Sequence, residues 1–210
     1  MARYTDPSCK LCRREKQKLF LKGSKCFSEK CPIEKRNYPP GQHGNGRRSK
    51  ISEYGVQLRE KQKIRRTYGL LETQFRTAFE KAARMRGVTG DNLVKLLERR
   101  LDNVLYRLNI APSRKSARQL ILHRHITVNG NVVNIASYVL NPGDVVQVKE
   151  GSRKLEAVHE SLKRTRGDSG IPNWLSLNKA ELSGTLLSVP ERSDIQLNAN
   201  EQLVVELYSK

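Results

Sequence analysis

Four cysteines, and no others in the chain, fall within the first 31 residues as Cys9, Cys12, Cys26 and Cys31. CxxC followed by CxxxxC across a thirteen-residue loop supplies two pairs of thiolates, and four sulfurs fill the tetrahedral shell of a structural zinc ion. The segment is too short and too polar to bury the apolar surface that would offset its ordering entropy, so bound metal is expected to supply much of its folding free energy. No ligand position is left for water, which makes the site structural rather than catalytic. Lys10, Arg13, Arg14, Lys25 and Lys30 would offset the negative charge of four thiolates on one divalent ion. Two disulfides, an iron–sulfur cluster and free thiols are the competing readings of the same residues. Disulfides are disfavoured because Met-Ala-Arg-Tyr-Thr-Asp-Pro, at the amino terminus, has no apolar stretch of the secretory kind.

The 210 residues allow one or two domains, and no run approaches the roughly 18 apolar residues of a membrane helix, so a soluble, cytoplasmic chain is expected. Forty Lys and Arg against 21 Asp and Glu give a net charge of +19, which attracts a polyanion. The excess is uneven: residues 1–100 hold 26 basic and 10 acidic side chains, residues 101–210 hold 14 and 11. The partner should therefore be gripped by the N-terminal half. A membrane surface fits less well, because aromatics are few and the basic residues do not line a strongly apolar amphipathic helix.

After the cysteines, Lys35 to Lys50 carries Pro39, Pro40, Gly41, Gly44 and Gly46, which argue against regular secondary structure and for an extended basic strap. Arg47, Arg48 and Lys50 supply charge there, and Tyr38 or His43 can stack on an unpaired base. A solvated linker is the alternative, and His43 as a metal ligand is redundant beside four cysteines. Helical periodicity begins near Glu53 and runs to a basic end at Arg65 and Arg66. It resumes with Leu71, Phe75, Ala78, Phe79, Ala82 and Met85 as one apolar stripe. A third helix is expected from a capping Asp91 through Leu93, Leu97, Leu101, Val104 and Leu105 to Leu108.

The stretch that follows has its own grammar. Pro112 breaks the helix, Ser113 caps the next one, and Ala117, Leu120 and Ile121 form its buried face, leaving Arg114, Lys115 and Arg118 on the opposite side near an anion-favouring helix start. Ile126 to Val128 and Val132-Val133 flank Asn129-Gly130, a type I′ turn dipeptide, so a hairpin is expected. Asn141-Pro-Gly-Asp144 is a further turn before a strand over Val145 to Val148. Beyond it, Ser152 to Arg166 reads as an amphipathic helix, Trp174, Leu175 and Leu177 as buried anchors, and Asn200 to Ser209 as a capped helix or an edge strand.

From Arg99 to about Lys149 these residues resemble the S4 RNA-binding module, and the whole chain resembles the S4 family of bacterial small-subunit ribosomal proteins. The resemblance rests on the cysteine segment, Tyr38-Pro-Pro-Gly-Gln-His-Gly44, Leu101-Asp-Asn-Val-Leu-Tyr-Arg-Leu108, Ser113-Arg-Lys-Ser-Ala-Arg118, Ile126-Thr-Val-Asn-Gly130, Asn141-Pro-Gly-Asp144 and the terminal Val204-Val-Glu-Leu-Tyr-Ser-Lys210. It implies an α+β fold in three parts: a zinc-bound segment and strap over 1–45, a helical domain over 46–98 completed by 196–210, and an inserted domain over 99–195. The inserted part contains the S4 module, two helices against a small, mostly antiparallel sheet, over about 99–165. It implies a primary ribosomal RNA binder that docks at a helix junction of the 5′ domain, nucleates assembly of the subunit body and borders protein S5. It also implies a place by the path along which messenger RNA enters, a contribution to translational accuracy, and one structural Zn2+.

With that resemblance, the RNA-binding candidates are Arg3, Tyr4, Arg13 and Arg14 near the cysteines, and Tyr38, Gln42, His43, Arg47, Arg48 and Lys50 in the strap. Tyr54, Lys61, Arg65, Arg66 and Tyr68 join them from the first helix, and Arg114, Lys115, Arg118, His123 and Asn129 from the module. Reversing Arg114 and Arg118 to Glu is expected to weaken RNA binding without unfolding the chain. Pseudouridine synthases and tyrosyl-transfer-RNA synthetases carry the same module, and Arg100-Leu-Asp102 echoes the catalytic tripeptide of the former. Asp102 lies inside a leucine-periodic helix, however, with no second carboxylate or nucleophile pair, so no enzymatic activity is expected. A DNA-binding zinc regulator lacks a recognition helix here, and a non-ribosomal RNA regulator such as a translational repressor is the remaining alternative.

Overall fold

The computed structural model of the protein describes residues 3–46, 50–163 and 170–209. It is an α+β structure in which the chain forms two units, Met1–Leu93 with Leu197–Lys210, and Val94–Gln196.

The first unit is helical. α1 (Ser8–Glu15) and the short α2 (Pro32–Lys35) belong to the cysteine segment, followed by α3 (Glu53–Thr67) and α4 (Glu72–Arg84), and the chain returns at its end as α9 (Glu201–Tyr208). Ser52 starts α3 by accepting the Gly55 amide on its hydroxyl at 3.2 Å, and Asn200 starts α9 by accepting the Gln202 amide at 2.9 Å. The C-terminal stretch is thus a helix. Its Val204 is fully buried, as are Ile64 and Phe75, and Tyr208 stacks on Phe79 at 4.4 Å between centroids. Gln57 donates to Glu206 at 3.2 Å, and the Asn200 amide to Glu60 at 3.0 Å, so α3 and α9 are tied by polar as well as apolar contacts.

The second unit contains α6 (Leu101–Arg107), α7 (Arg114–Leu122) and α8 (Glu156–Lys163) with a five-stranded antiparallel sheet. The strands are β1 (Ile126–Val128), β2 (Asn131–Val132), β3 (Val145–Val148), β4 (Leu175–Asn178) and β5 (Ser183–Leu186), in the order β2-β1-β3-β5-β4. Ser113 caps α7 through the Ser116 amide at 3.2 Å. Asn129 at φ 50° and Gly130 at φ 81° make the tight turn between β1 and β2, the pairing of left-handed residues that Asn-Gly favours. Leu105, Leu108, Ile121, Ile126, Val146 and Trp174 meet in one core, each no more than 2% exposed.

Several expectations are corrected. The third helix is two: α5 (Thr89–Glu98) ends, and α6 begins after Arg100, whose backbone is extended. The break is made by a distant partner, since Arg100 bridges Val139 and the Leu101 amide donates to Tyr138 O at 2.8 Å. The helix expected from Ser152 starts only at Glu156, after a 3₁₀ turn over Glu150–Ser152 in which Ser152 Oγ meets His125 Nδ1 at 2.8 Å. Its expected end at Arg166 lies outside the described residues. The strap contains a 3₁₀ turn over Gln42–Asn45, and β4 and β5 extend the sheet beyond the hairpin and third strand foreseen.

Candidate nucleic-acid interface

The cysteine segment places Cys12, Cys26 and Cys31 in buried positions and Cys9 at an intermediate one, with all four sulfurs free of disulfides. Cys12 and Cys31 share a small core with Leu19 and Ile33. Burial pushes the Cys12 thiol up to about 11; a backbone hydrogen bond from Leu19 opposes this, and nearby Cys26, Cys9 and Cys31 add to it. Burial likewise raises Cys26, against an amide hydrogen bond from Lys22 at 3.3 Å. The thiols therefore lie close enough to repel one another as thiolates, with N–H donors aimed at two of them. That donor set suits a soft divalent cation, although among the described residues no three His, Cys, Asp or Glu side chains already stand at metal-holding spacing.

Arg13 fastens the strap to α1. Its Nε donates to Tyr38 O at 3.0 Å, and its guanidinium lies 4.7 Å from the centre of the Tyr38 ring. Gly44 packs where a Cβ would stand 2.1 Å from Pro39 O, so only glycine permits the strap's return. Within this folded strap Gln42 and His43 are exposed and Tyr38 is half-buried, while Lys50 is exposed just beyond it. Arg47 and Arg48 lie outside the described residues.

On α3, several basic candidates have acidic partners. Arg66 and Arg59 both donate to Oε1 of Glu15, whose carboxylate is buried on α1; desolvation raises the Glu15 pKa, opposed by Arg66 and then Arg59. Lys61 pairs with Glu72 at 2.7 Å and Arg65 with the same carboxylate at 3.2 Å. These cations retain partial exposure, so they orient a positive surface while holding α1 and α4 to α3. Tyr68, expected to meet RNA, is 1% exposed and belongs to the core, because it closes the last turn of α3. Tyr54, by contrast, is 57% exposed on the first turn. Arg3 and Arg14 are exposed and Tyr4 half-exposed.

Two of the module's arginines are not on the side of α7 expected for them: Arg114 and Arg118 share its buried face with Ala117 and Ile121. Arg118 is 6% exposed and donates through Nε at 3.0 Å and Nη2 at 2.6 Å to Asp102 Oδ2, while Arg100 grips both oxygens of Asp102 at 3.1 Å. Arg114 is 8% exposed; its Nε donates to Asn103 Oδ1 at 2.8 Å and its guanidinium lies 4.4 Å from the Tyr106 ring centre. Asn103 donates in turn to Glu98, which also takes Arg107 at 2.7 and 3.0 Å. This is a satisfied polar layer beneath α6 and α7, and the arginines neutralise its carboxylates. Asn129 is exposed but its amide is spent on Asp144 Oδ1 at 2.8 Å and on the Val145 N–H at 2.9 Å, which joins two turns. Lys115 and His123 remain on the exposed side, with the His123 ring 6.0 Å from that of His125.

Taken by sequence, the first unit carries 24 basic against 11 acidic side chains and the second 16 against 10, so the polyanion-facing surface is mainly the first unit's. Arg59 escaped the sequence reading because its partner Glu15 lies 44 residues away. Among the described residues no helix is long and apolar enough to cross a membrane.

Comparison with known proteins places these two units in a family. Residues 3–98 match the "Ribosomal protein S4/S9 N-terminal domain" and residues 99–146 match the "S4 domain". Over all 210 residues, and over the full length of each relative, the chain is 60% identical to small ribosomal subunit protein uS4 of Citrifermentans bemidjiense. It is 59% identical to that of Geobacter sulfurreducens and 54% to that of Thermodesulfovibrio yellowstonii, again across the full length of both chains. With family models matching residues 3–146 and full-length relatives 54–60% identical, the chain belongs to the uS4 family of small ribosomal subunit proteins.

Proposed function

We propose that this chain is a structural constituent of the small ribosomal subunit that binds ribosomal RNA without making or breaking bonds. The observation that carries the reading is the full-length identity of 60% to a small-subunit protein, supported by the basic first unit. Lys and Arg fix the protein on phosphates, and rigid helices select the shape of a folded junction. α1, the strap and α3 act as one body, because Arg13 holds Tyr38 and Glu15 holds Arg59 and Arg66. On this reading the RNA site is a helix junction of the 5′ domain, and binding there nucleates assembly of the subunit body. S5 and the path of incoming messenger RNA are the neighbours through which the chain contributes to accuracy.

Cys9, Cys12, Cys26 and Cys31 would hold one structural zinc ion, which supplies folding free energy and an electrostatic centre rather than chemistry. Without a cation, burial and the neighbouring sulfurs favour the protonated thiols of Cys12 and Cys26; a divalent ion removes that conflict.

An epitope-tagged copy expressed in a bacterium should sediment with small-subunit particles in a sucrose gradient and stay bound through a wash at moderate salt. Sedimentation only at the top of the gradient would defeat the proposal.

A further inference from the structure

We propose that Phe20 and Phe27 form a stacking site for an unpaired RNA base, an inference that rests on the RNA-binding reading above. The two rings lie 5.0 Å apart between centroids at 28°, yet they are 36% and 49% exposed. The segment has a small core of its own, and Leu19 and Leu21 on either side of Phe20 join it, while Phe20 itself turns outward at φ +51°. A left-handed conformation is uncommon for a bulky residue, and here it holds an apolar ring in solvent. Two of the chain's four phenylalanines are thereby left outside any core.

Charge selects the occupant. Between residues 16 and 30 there are five lysines and a single acid, Glu29; Lys16, Lys22, Lys25 and Lys30 are exposed. The Lys22 amide donates to Cys26 Sγ, which brings Lys22 beside the residue preceding Phe27. An apolar protein surface docking here would have to desolvate those ammonium groups, whereas a nucleotide satisfies both features, its base on the ring and its phosphates on the lysines. Stacking of this kind tolerates any base, since each presents a π-face.

The test uses the full zinc-loaded chain and single-stranded oligo-adenylate, so that it reads the stack itself; preference for junction RNA is measured separately and bears on the ribosomal reading. Phe27→Leu, and the double variant with Phe20→Leu, should each bind oligo-adenylate about tenfold or more weakly with the salt dependence unchanged, because stacking is lost while phosphate contacts stay. Phe27→Trp should keep parental affinity, and its added fluorescence should be quenched on saturation with RNA. Thermal melting shows that each variant is folded, and Phe27 alone suffices if Phe20→Leu disturbs the turn. Parental affinity in Phe27→Leu, or an unquenched Trp in Phe27→Trp, would overturn the site, as would loss of binding accompanied by a smaller salt slope.

Discussion

Arg118→Glu unfolds the second unit rather than detaching it from RNA. The substitution places a carboxylate against Asp102, which is 1% exposed and takes two hydrogen bonds from Arg118. Breaking a buried ion pair by removing one partner costs about 3–5 kcal/mol, and a like charge in its place adds to that. A typical domain has only about 5–15 kcal/mol in hand. Trp174 reports the event directly: it is the chain's single tryptophan and packs in the core that also contains Leu105 and Ile121. Urea titration followed by its fluorescence should therefore show the midpoint collapse for Arg118→Glu. Lys115→Glu, exposed on the same helix, should leave stability within about 0.5 kcal/mol and weaken RNA binding. A stable Arg118→Glu protein would show that the polar layer beneath α6 and α7 does not hold the module together.

The second large effect is at the cysteines. Cys26→Ser should lower zinc content from about one ion per chain to nearly none, because Cys26 is a buried donor whose sulfur already accepts the Lys22 amide. Structural zinc contributes on the order of 10 kcal/mol to the folding of finger peptides, far more than the Cys12–Leu19–Cys31–Ile33 cluster supplies by burial. Limited proteolysis should then cut within the first 45 residues, and RNA affinity should fall at least tenfold as Arg13, the strap and the Glu15 clamp lose their common frame. Metal analysis and proteolysis on one sample check both halves of the prediction. A variant that keeps its protease resistance would remove the metal from the account.

These two sites show what the sequence could and could not express. The apolar stripe of α4, the Ser113 cap and the Asn129-Gly130 turn are local devices, each legible within a few residues, and each is present, except that Met85 lies past the end of α4 and is exposed. The break between α5 and α6 is not local: it depends on pairing of Arg100 with Val139, 39 residues on, so leucine periodicity ran through it unchecked. Likewise Arg114 and Arg118 share the buried face of α7 with Ala117 and Ile121, at the i, i+3, i+4, i+7 spacing, but a pattern read by residue type alone assigns two arginines to solvent. Asp102 and Asn103, eleven to sixteen residues earlier, supply the hydrogen-bond partners that let the two arginines stay inside. The motif of the module thus serves the fold as much as the ligand. β4 pairs with β5, and β5 with β3, but the two strands carry Ser183, Gly184 and Asn178, too weak a strand pattern to announce itself. The cysteine spacing was plain, and so was the basic excess of the N-terminal half; what the sequence did not show is that Arg65, Arg66 and Lys61 divide their charge between solvent and internal carboxylates.

Binding of the purified, zinc-loaded chain to a small-subunit 5′-domain RNA fragment and to transfer RNA, across a salt series, tests the central claim most directly. The account predicts much tighter binding to the domain fragment, a steep fall with salt on both RNAs, and a preference that survives at salt where transfer RNA is released. Equal binding to the two RNAs, lost together as salt rises, would contradict it.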